Sequence, residues 1–103
     1  MRKIAVFVQH EEPGVKRHLK KYLTNVIMVE KPESADLVIS DSYGLIGKIC
    51  QNEDITGFFL FNPRRVGAGI QFGDNVVKFP FVNGFDKVIA IIIKRLEWWL
   101  TTG

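Results

Sequence analysis

The sequence has few features that would place it outside the cytoplasm. It contains a single cysteine, Cys50, so no intramolecular disulfide can form, and this favours a reducing compartment. The apolar run at residues 4–8 is shorter than the hydrophobic region of a signal peptide, and no small-residue cleavage site follows it. The most apolar later segment, residues 88–93, is far too short to cross a bilayer. We therefore expect a cytoplasmic protein with no membrane-spanning segment.

Charge of one sign is not in large excess either. The 14 basic and 11 acidic residues leave a net charge of +3, which is too small to predict nucleic-acid binding by itself. A hydrophobic content of 47% and a charged content of 24% are typical of a globular chain and argue against disorder. Because 103 residues suit one core, we predict that residues 1–103 form a single α/β domain.

Apolar runs alternate with helical spacing along the chain. Strands are predicted at residues 4–8, 26–29, 36–40, 56–61, 70–72 and 76–79, and helices at residues 15–23, 43–51 and 85–100. Continuous apolar runs suit strands that are buried on both faces, as in a parallel sheet. The turn residues Gly73, Asp74 and Asn75 predict a β-hairpin. This order favours a three-layer α/β sandwich with a mostly parallel, flavodoxin-like sheet, an antiparallel hairpin near the C-terminal part and a C-terminal helix.

The strand at residues 36–40 is predicted to lie at the centre of the sheet, and the connection that leads into it is short. Residues 30–35 are too few for an ordinary helical crossover, which needs about a dozen residues. Either the crossover is a minimal turn of helix, or the two strands pair in another way.

Polar residues follow several of the predicted strands. In open α/β sheets, ligands bind beyond the carboxyl ends of the strands, so such residues are candidates for a binding site. The candidate ligand-binding residues are His10, Asp41, Ser42, Asn62, Arg64 and Arg65. The alternative is that strand ends are polar because they meet water, and that Asp41 and Ser42 only cap the following helix.

Residues 64–69 are the best candidate for binding an anion. Guanidinium groups bind phosphate or carboxylate, and glycines let backbone N–H groups approach it. The segment matches neither a Walker loop nor a dinucleotide fingerprint, so no cofactor is predicted. His10 with Asp41 is an alternative acid–base pair. Cys50 is expected to be an inert core thiol, and no metal site is predicted because the histidines and the cysteine lack metal-ligand spacing.

One pattern resembles the response-regulator receiver domain. Asp41 ends a central strand, and residues 78–81 (Lys-Phe-Pro-Phe) precede the last helix. Receivers carry an acidic pair at the end of the first strand, where this chain has Gln9 and His10, and a Thr or Ser where it has Asn62. The resemblance therefore supports the fold and does not imply Mg²⁺ binding or phosphorylation of the aspartate.

The predicted last helix suggests a different class of function. Its apolar surface is wider than one face of a sheet covers, and tryptophan is enriched at interfaces. We predict an interface through Ile91, Arg95 and Trp98, against the alternative that the tryptophan lies flat on the surface. The basic face of the first helix is expected to be a solvated surface rather than a nucleic-acid site.

The interpretation that these patterns favour is a small non-catalytic α/β module that binds a partner protein or a small anionic ligand, with a homodimer as one form of the partner. The first alternative is a small enzyme or a divergent receiver-like phosphotransfer domain that uses the crevice at the strand carboxyl ends. The second is weak nucleic-acid binding through the basic first helix.

Overall fold

The computed structural model describes residues 3–23, 26–65 and 71–81, together with Lys94, Arg95 and Trp98. The elements are β1 (Ile4–Gln9), α1 (Pro13–Tyr22), β2 (Val26–Met28), a 3-10 turn (Pro32–Ser34), β3 (Leu37–Ser40), α2 (Tyr43–Ile49), β4 (Thr56–Phe61) and β5 (Val76–Pro80). Most of the predicted last helix lies outside the described residues. Within the described ranges, no helix has the length and apolar character needed to cross a bilayer.

The five strands form one parallel sheet in the order β2-β1-β3-β4-β5. In the register of this sheet, Val6 of β1 lies between Met28 of β2 and Leu37 of β3. The order differs from the 3-2-1-4-5-6 order of dinucleotide-binding sheets. Because all four strand pairings are parallel and helices connect β1 to β2 and β3 to β4, the predicted α/β class with a mainly parallel sheet is confirmed.

Each face of the sheet buries its own apolar cluster. Val15 and Leu19 of α1 pack with Phe58 of β4 in the first cluster, on what we call the α1 face. Ile46 of α2 packs with Phe59 of β4 in the second, on the α2 face. Successive residues of β4 point to opposite faces, as a pleated strand requires. The two helices therefore cover opposite faces of the sheet.

The short connection between β2 and β3 is a single 3-10 turn, Pro32–Ser34, and each of these strands pairs with β1. Asp36 fixes the connection on β1 through two hydrogen bonds. Its backbone N–H donates to the Ala5 carbonyl at 2.8 Å, and its carboxylate accepts from the Ala5 N–H at 2.9 Å. The crossover is thus the minimal turn of helix, and the two strands it joins lie on either side of β1.

The predicted hairpin is wrong. Residues 71–73 lie outside any strand, and β5 runs parallel to β4, with Val77 opposite Phe58. The side-chain amide of Asn75 donates to the carbonyls of Cys50 at 2.9 Å and Ile55 at 2.8 Å. These bonds tie the start of β5 to the turn between α2 and β4. Long-range hydrogen bonds, rather than a local turn, set the direction of this strand.

β4 and α2 approach each other closely at Gly57. A Cβ atom at this position would lie 2.6 Å from the Cys50 Sγ and 3.1 Å from the Val76 Cγ2. Real Cβ atoms essentially never show a contact as short as the one to the Cys50 sulfur, so the α2 face accepts only a glycine here without a shift of its neighbours.

Candidate functional site

The carboxyl ends of β1 and β3 lie side by side in the sheet. The chain leaves β1 for the α1 face and leaves β3 for the α2 face, so the loops at residues 10–12 and 41–42 diverge and open a crevice between them. The loop after β4, residues 62–65, borders the same edge. We call this the carboxyl-edge crevice. The predicted residues lie on the three loops that border it: His10, Asp41, Ser42, Asn62, Arg64 and Arg65.

Glu11 joins the three loops of the crevice, and the sequence analysis did not select it as a binding residue. Its backbone N–H donates to the Asp41 carboxylate at 3.2 Å, and its own carboxylate accepts from the Arg65 guanidinium at 2.5 Å. The Glu11–Arg65 ion pair is exposed, with 53% and 67% of the two side chains accessible. An exposed pair of this kind contributes about 0–1 kcal/mol, so it is easily exchanged for another partner.

His10 is held by its neighbours on two sides. Its Nδ1 accepts a hydrogen bond from the Glu12 N–H at 3.0 Å, and its ring lies on Phe81 with 4.9 Å between the centroids. An accepting Nδ1 places the proton of a neutral ring on Nε2. The Nε2 atom is buried, and it has no hydrogen-bond partner in the described part of the chain. The ring also lines a cavity of about 310 Å³ together with Lys16.

Asp41 and Ser42 have separate roles, although they are adjacent. The Ser42 hydroxyl accepts from the Leu45 N–H at 3.2 Å and so caps α2, as the sequence predicted for this pair of residues. Asp41 instead holds the backbone of the loop after β1. In the described residues no hydrogen bond joins the side chains of His10 and Asp41, so the acid–base pair is not assembled.

The loop after β4 begins with a local turn. The Asn62 side-chain oxygen accepts from the Arg64 N–H at 2.9 Å, and its carbonyl accepts from the Arg65 N–H at 3.0 Å. Asparagine often stabilises turns in this way. Asn62 therefore shapes the loop, while both arginine side chains are exposed. The glycines of the predicted anion loop, Gly67 and Gly69, lie outside the described residues.

The predicted interface is described only in part. Ile91 lies outside the described residues. Arg95 and Trp98 are both helical and exposed, and 67% of Trp98 is accessible.

The sequence analysis did not identify a larger cavity, of about 530 Å³, on the α2 face. It lies between α2 and the segment that enters β5, and we call it the α2 cavity. The rings of Tyr43 and Phe72 stand on its wall with 5.8 Å between their centroids. The signal in the sequence was the pair Gly44 and Gly47, which leaves one side of α2 without side chains. The opposite side of the cavity includes Gln71 and Phe72, which were predicted to belong to a strand, so no cavity was expected there.

The Cys50 thiol lines the α2 cavity and is buried against β4. Burial disfavours the thiolate and raises the pKa of Cys50 above its ordinary value. The thiol therefore stays neutral at physiological pH, which agrees with the expectation of an inert core cysteine.

The described residues contain no group of three or more His, Cys, Asp or Glu side chains that could hold a metal ion. Comparison of the chain with protein-family models, with curated proteins and with solved structures found no match. The fold and the contacts above define a small α/β domain with a parallel sheet and a crevice at its carboxyl edge.

Proposed function

We propose that this chain is a small non-catalytic α/β module that binds a small anionic ligand, with phosphate or carboxylate groups, in the carboxyl-edge crevice. We also propose that the whole domain has a flavodoxin-like three-layer sandwich fold. The order 2-1-3-4-5 occurs in sheets of that class, and their ligands bind where the connections of two neighbouring strands diverge. In this sheet that position lies between β1 and β3.

The observation that carries the proposal is the position of Glu11. Its carboxylate accepts a hydrogen bond from the Arg65 guanidinium, and its backbone N–H donates to the Asp41 carboxylate in the neighbouring loop. Glu11 accepts one hydrogen bond from this guanidinium. A guanidinium can form two parallel hydrogen bonds with a carboxylate or phosphate group, so an anion that binds in this way can replace the Glu11 side chain. The exposed ion pair that is lost in this exchange costs little.

The rest of the crevice supplies further donors. Lys16 lines the cavity beside His10, and its ammonium group can donate to an anion. Arg64 is exposed next to Arg65. These groups suit a ligand with several anionic oxygens, since each oxygen accepts more than one hydrogen bond.

The test is thermal unfolding in the presence of inorganic phosphate and of citrate. A ligand at about ten times its dissociation constant should raise the Tm by roughly 5 °C or more, because it binds only the folded state. Arg65→Ala should abolish the shift. Lys48→Ala, which removes a positive charge from an exposed site on α2, should leave the shift unchanged.

Two results would contradict the proposal. One is a wild-type Tm that neither anion changes. The other is a shift that Arg65→Ala and Lys48→Ala reduce equally, which would indicate a general effect of charge rather than a site.

A second candidate function is the docking of a partner protein or of a second copy of the chain through Arg95 and Trp98. The exposure of 67% of Trp98 favours it, because a large apolar ring gains most from burial in an interface. Sedimentation velocity should show a concentration-dependent dimer that Trp98→Ala abolishes. Tyr43→Ala removes another exposed aromatic side chain and should leave the dimer intact. A monomer at all concentrations would exclude self-association.

A further inference from the structure

The α2 cavity differs in position and chemistry from the carboxyl-edge crevice. Its volume of about 530 Å³ lies within the range of roughly 300–1,000 Å³ that is usual for small-molecule sites. Its lining comes from α2, from the turn after α2 and from the segment that enters β5. None of the residues proposed above to bind an anion belongs to this lining.

One side of the cavity is aromatic, and another is formed by the glycines of α2. The rings of Tyr43 and Phe72 are inclined to each other by 51°. A Cβ atom at Gly44 would have no heavy atom within 4 Å, and one at Gly47 would lie 3.9 Å from the Phe72 ring. The missing side chains therefore expose the backbone of α2 next to the two rings. A flat ring can stack on one of these aromatic faces beside the exposed backbone.

The described lining of the cavity carries a negative charge. Among the lining residues that the structure describes, Glu53 is the one with an acidic side chain, and none is a lysine or an arginine. In the part of the chain that the structure describes, Glu53 forms no ion pair. Two amide side chains, Gln51 and Gln71, add hydrogen-bonding groups. The cavity therefore favours a cation over an anion.

The backbone segments that form the cavity are held in place by contacts behind them. Asn75 ties the segment before β5 to the turn after α2 through the Cys50 and Ile55 carbonyls. The close packing of Gly57 against Cys50 holds α2 on the sheet. A site held in place in this way loses little freedom when it binds a ligand, which favours affinity.

We propose that the α2 cavity binds a planar organic cation, such as an amidinium or a protonated amino-heterocycle. The flat ring lies against Tyr43 and Phe72, and its positive charge is balanced by the Glu53 carboxylate. The faces of aromatic rings also attract cations, which adds to the preference. This site is independent of the proposed anion site.

The test compares benzamidine with benzoate, which share a flat ring and carry opposite charges. Each is titrated into the full-length protein labelled with ¹⁵N, and amide chemical shifts are followed by NMR. Benzamidine should shift the amides of Gly44, Gly47 and Asn75 in a saturable manner, and benzoate should not shift them. Glu53→Gln should weaken benzamidine binding by about fivefold, the effect of one exposed charge pair.

Two further variants separate the cavity from general effects. Gly44→Leu places a side chain in the cavity and should abolish binding, with no loss of stability, because the new Cβ meets no heavy atom within 4 Å. Asp54→Asn removes a neighbouring exposed charge that does not line the cavity and should leave the affinity unchanged. The proposal is overturned if benzamidine produces no saturable shift, if benzoate binds equally well, or if Gly44→Leu or Glu53→Gln leaves the affinity for benzamidine unchanged.

Discussion

The α1 face and the α2 face are built from neighbouring residues of the same strands, yet they are packed differently. Phe58 and Phe59 are both buried, and they point to opposite faces from adjacent positions of β4. On the α2 face, Phe59 contacts the rings of Phe61 and Phe72, and Phe72 is only half-buried beside the α2 cavity. Phe58 instead packs in the cluster under α1 and contacts the Phe79 ring, which is also half-buried but does not line the α2 cavity.

This difference shows that well-packed regions and regions with space for a ligand can lie close together on one sheet. Where a helix and large side chains fill the space there is no room for a ligand, whereas the small residues Gly44 and Gly47 of α2 leave a cavity beside a half-buried aromatic ring. The α2 face has both extremes, a contact at Gly57 that excludes a Cβ atom and open space at Gly44. Its packing is therefore uneven over a short distance.

The largest expected effect tests the difference between the two faces directly. Phe58→Ala should lower the free energy of unfolding by about 3–5 kcal/mol, the usual cost of a large cavity in a core. Phe59→Ala should cost at least about 1 kcal/mol less, because Phe72 can move into the space and such collapse reduces the penalty. Urea unfolding of both variants measures the two values. Equal losses would show that the α2 face is as rigid as the α1 face.

A smaller effect is expected from the two glycines on the α2 face. Gly57→Ala should destabilise the protein by about 1–3 kcal/mol, because its Cβ would overlap the Cys50 sulfur. Gly44→Ala is the matched control, and it should stabilise α2 by up to about 1 kcal/mol, since alanine favours helix and the space is open. Thermal unfolding should therefore give shifts of opposite sign. Shifts of the same sign would contradict this description of the packing.

The smallest effect compares the starts of the two helices. α2 is capped by the Ser42 hydroxyl, whereas α1 has Glu12 at the same position with no hydrogen bond from its side chain to the helix. Ser42→Ala should cost about 1 kcal/mol. Glu12→Ala should cost less, because only the weak attraction of a carboxylate to the helix dipole is lost. A larger loss for Glu12→Ala, measured by urea unfolding, would require a role for Glu12 beyond the helix.

Several parts of the fold follow directly from the sequence. Residues 37–40 are apolar apart from Ser40 and buried throughout, which is typical of a central strand covered on both faces. A helix was predicted at residues 15–23, where the helical spacing of Val15 and Leu19 matches the buried side of α1, and Ser42 was one of two predicted caps. These features depend on residues that are close together in the chain, so local patterns are enough to find them.

The segment that enters β5 did not follow from local patterns. Gly73, Asp74 and Asn75 have the composition of a hairpin turn, but the Asn75 side chain bonds to carbonyls at the end of α2 and before β4. Nothing near Asn75 in the sequence indicates these partners. The same limit applies to Glu11, whose role depends on Asp41 and Arg65, which lie on two other loops.

The parallel arrangement of the sheet has a consequence for the rate of folding. Parallel strands cannot be joined by a tight turn, so every pairing, such as that of Val6 with Leu37, closes a long loop of chain. β1 precedes both of its neighbours, β2 and β3, in the chain, so it can pair only when these later segments reach it. We therefore expect this domain to fold more slowly than a helical bundle of the same length, which stopped-flow refolding would measure.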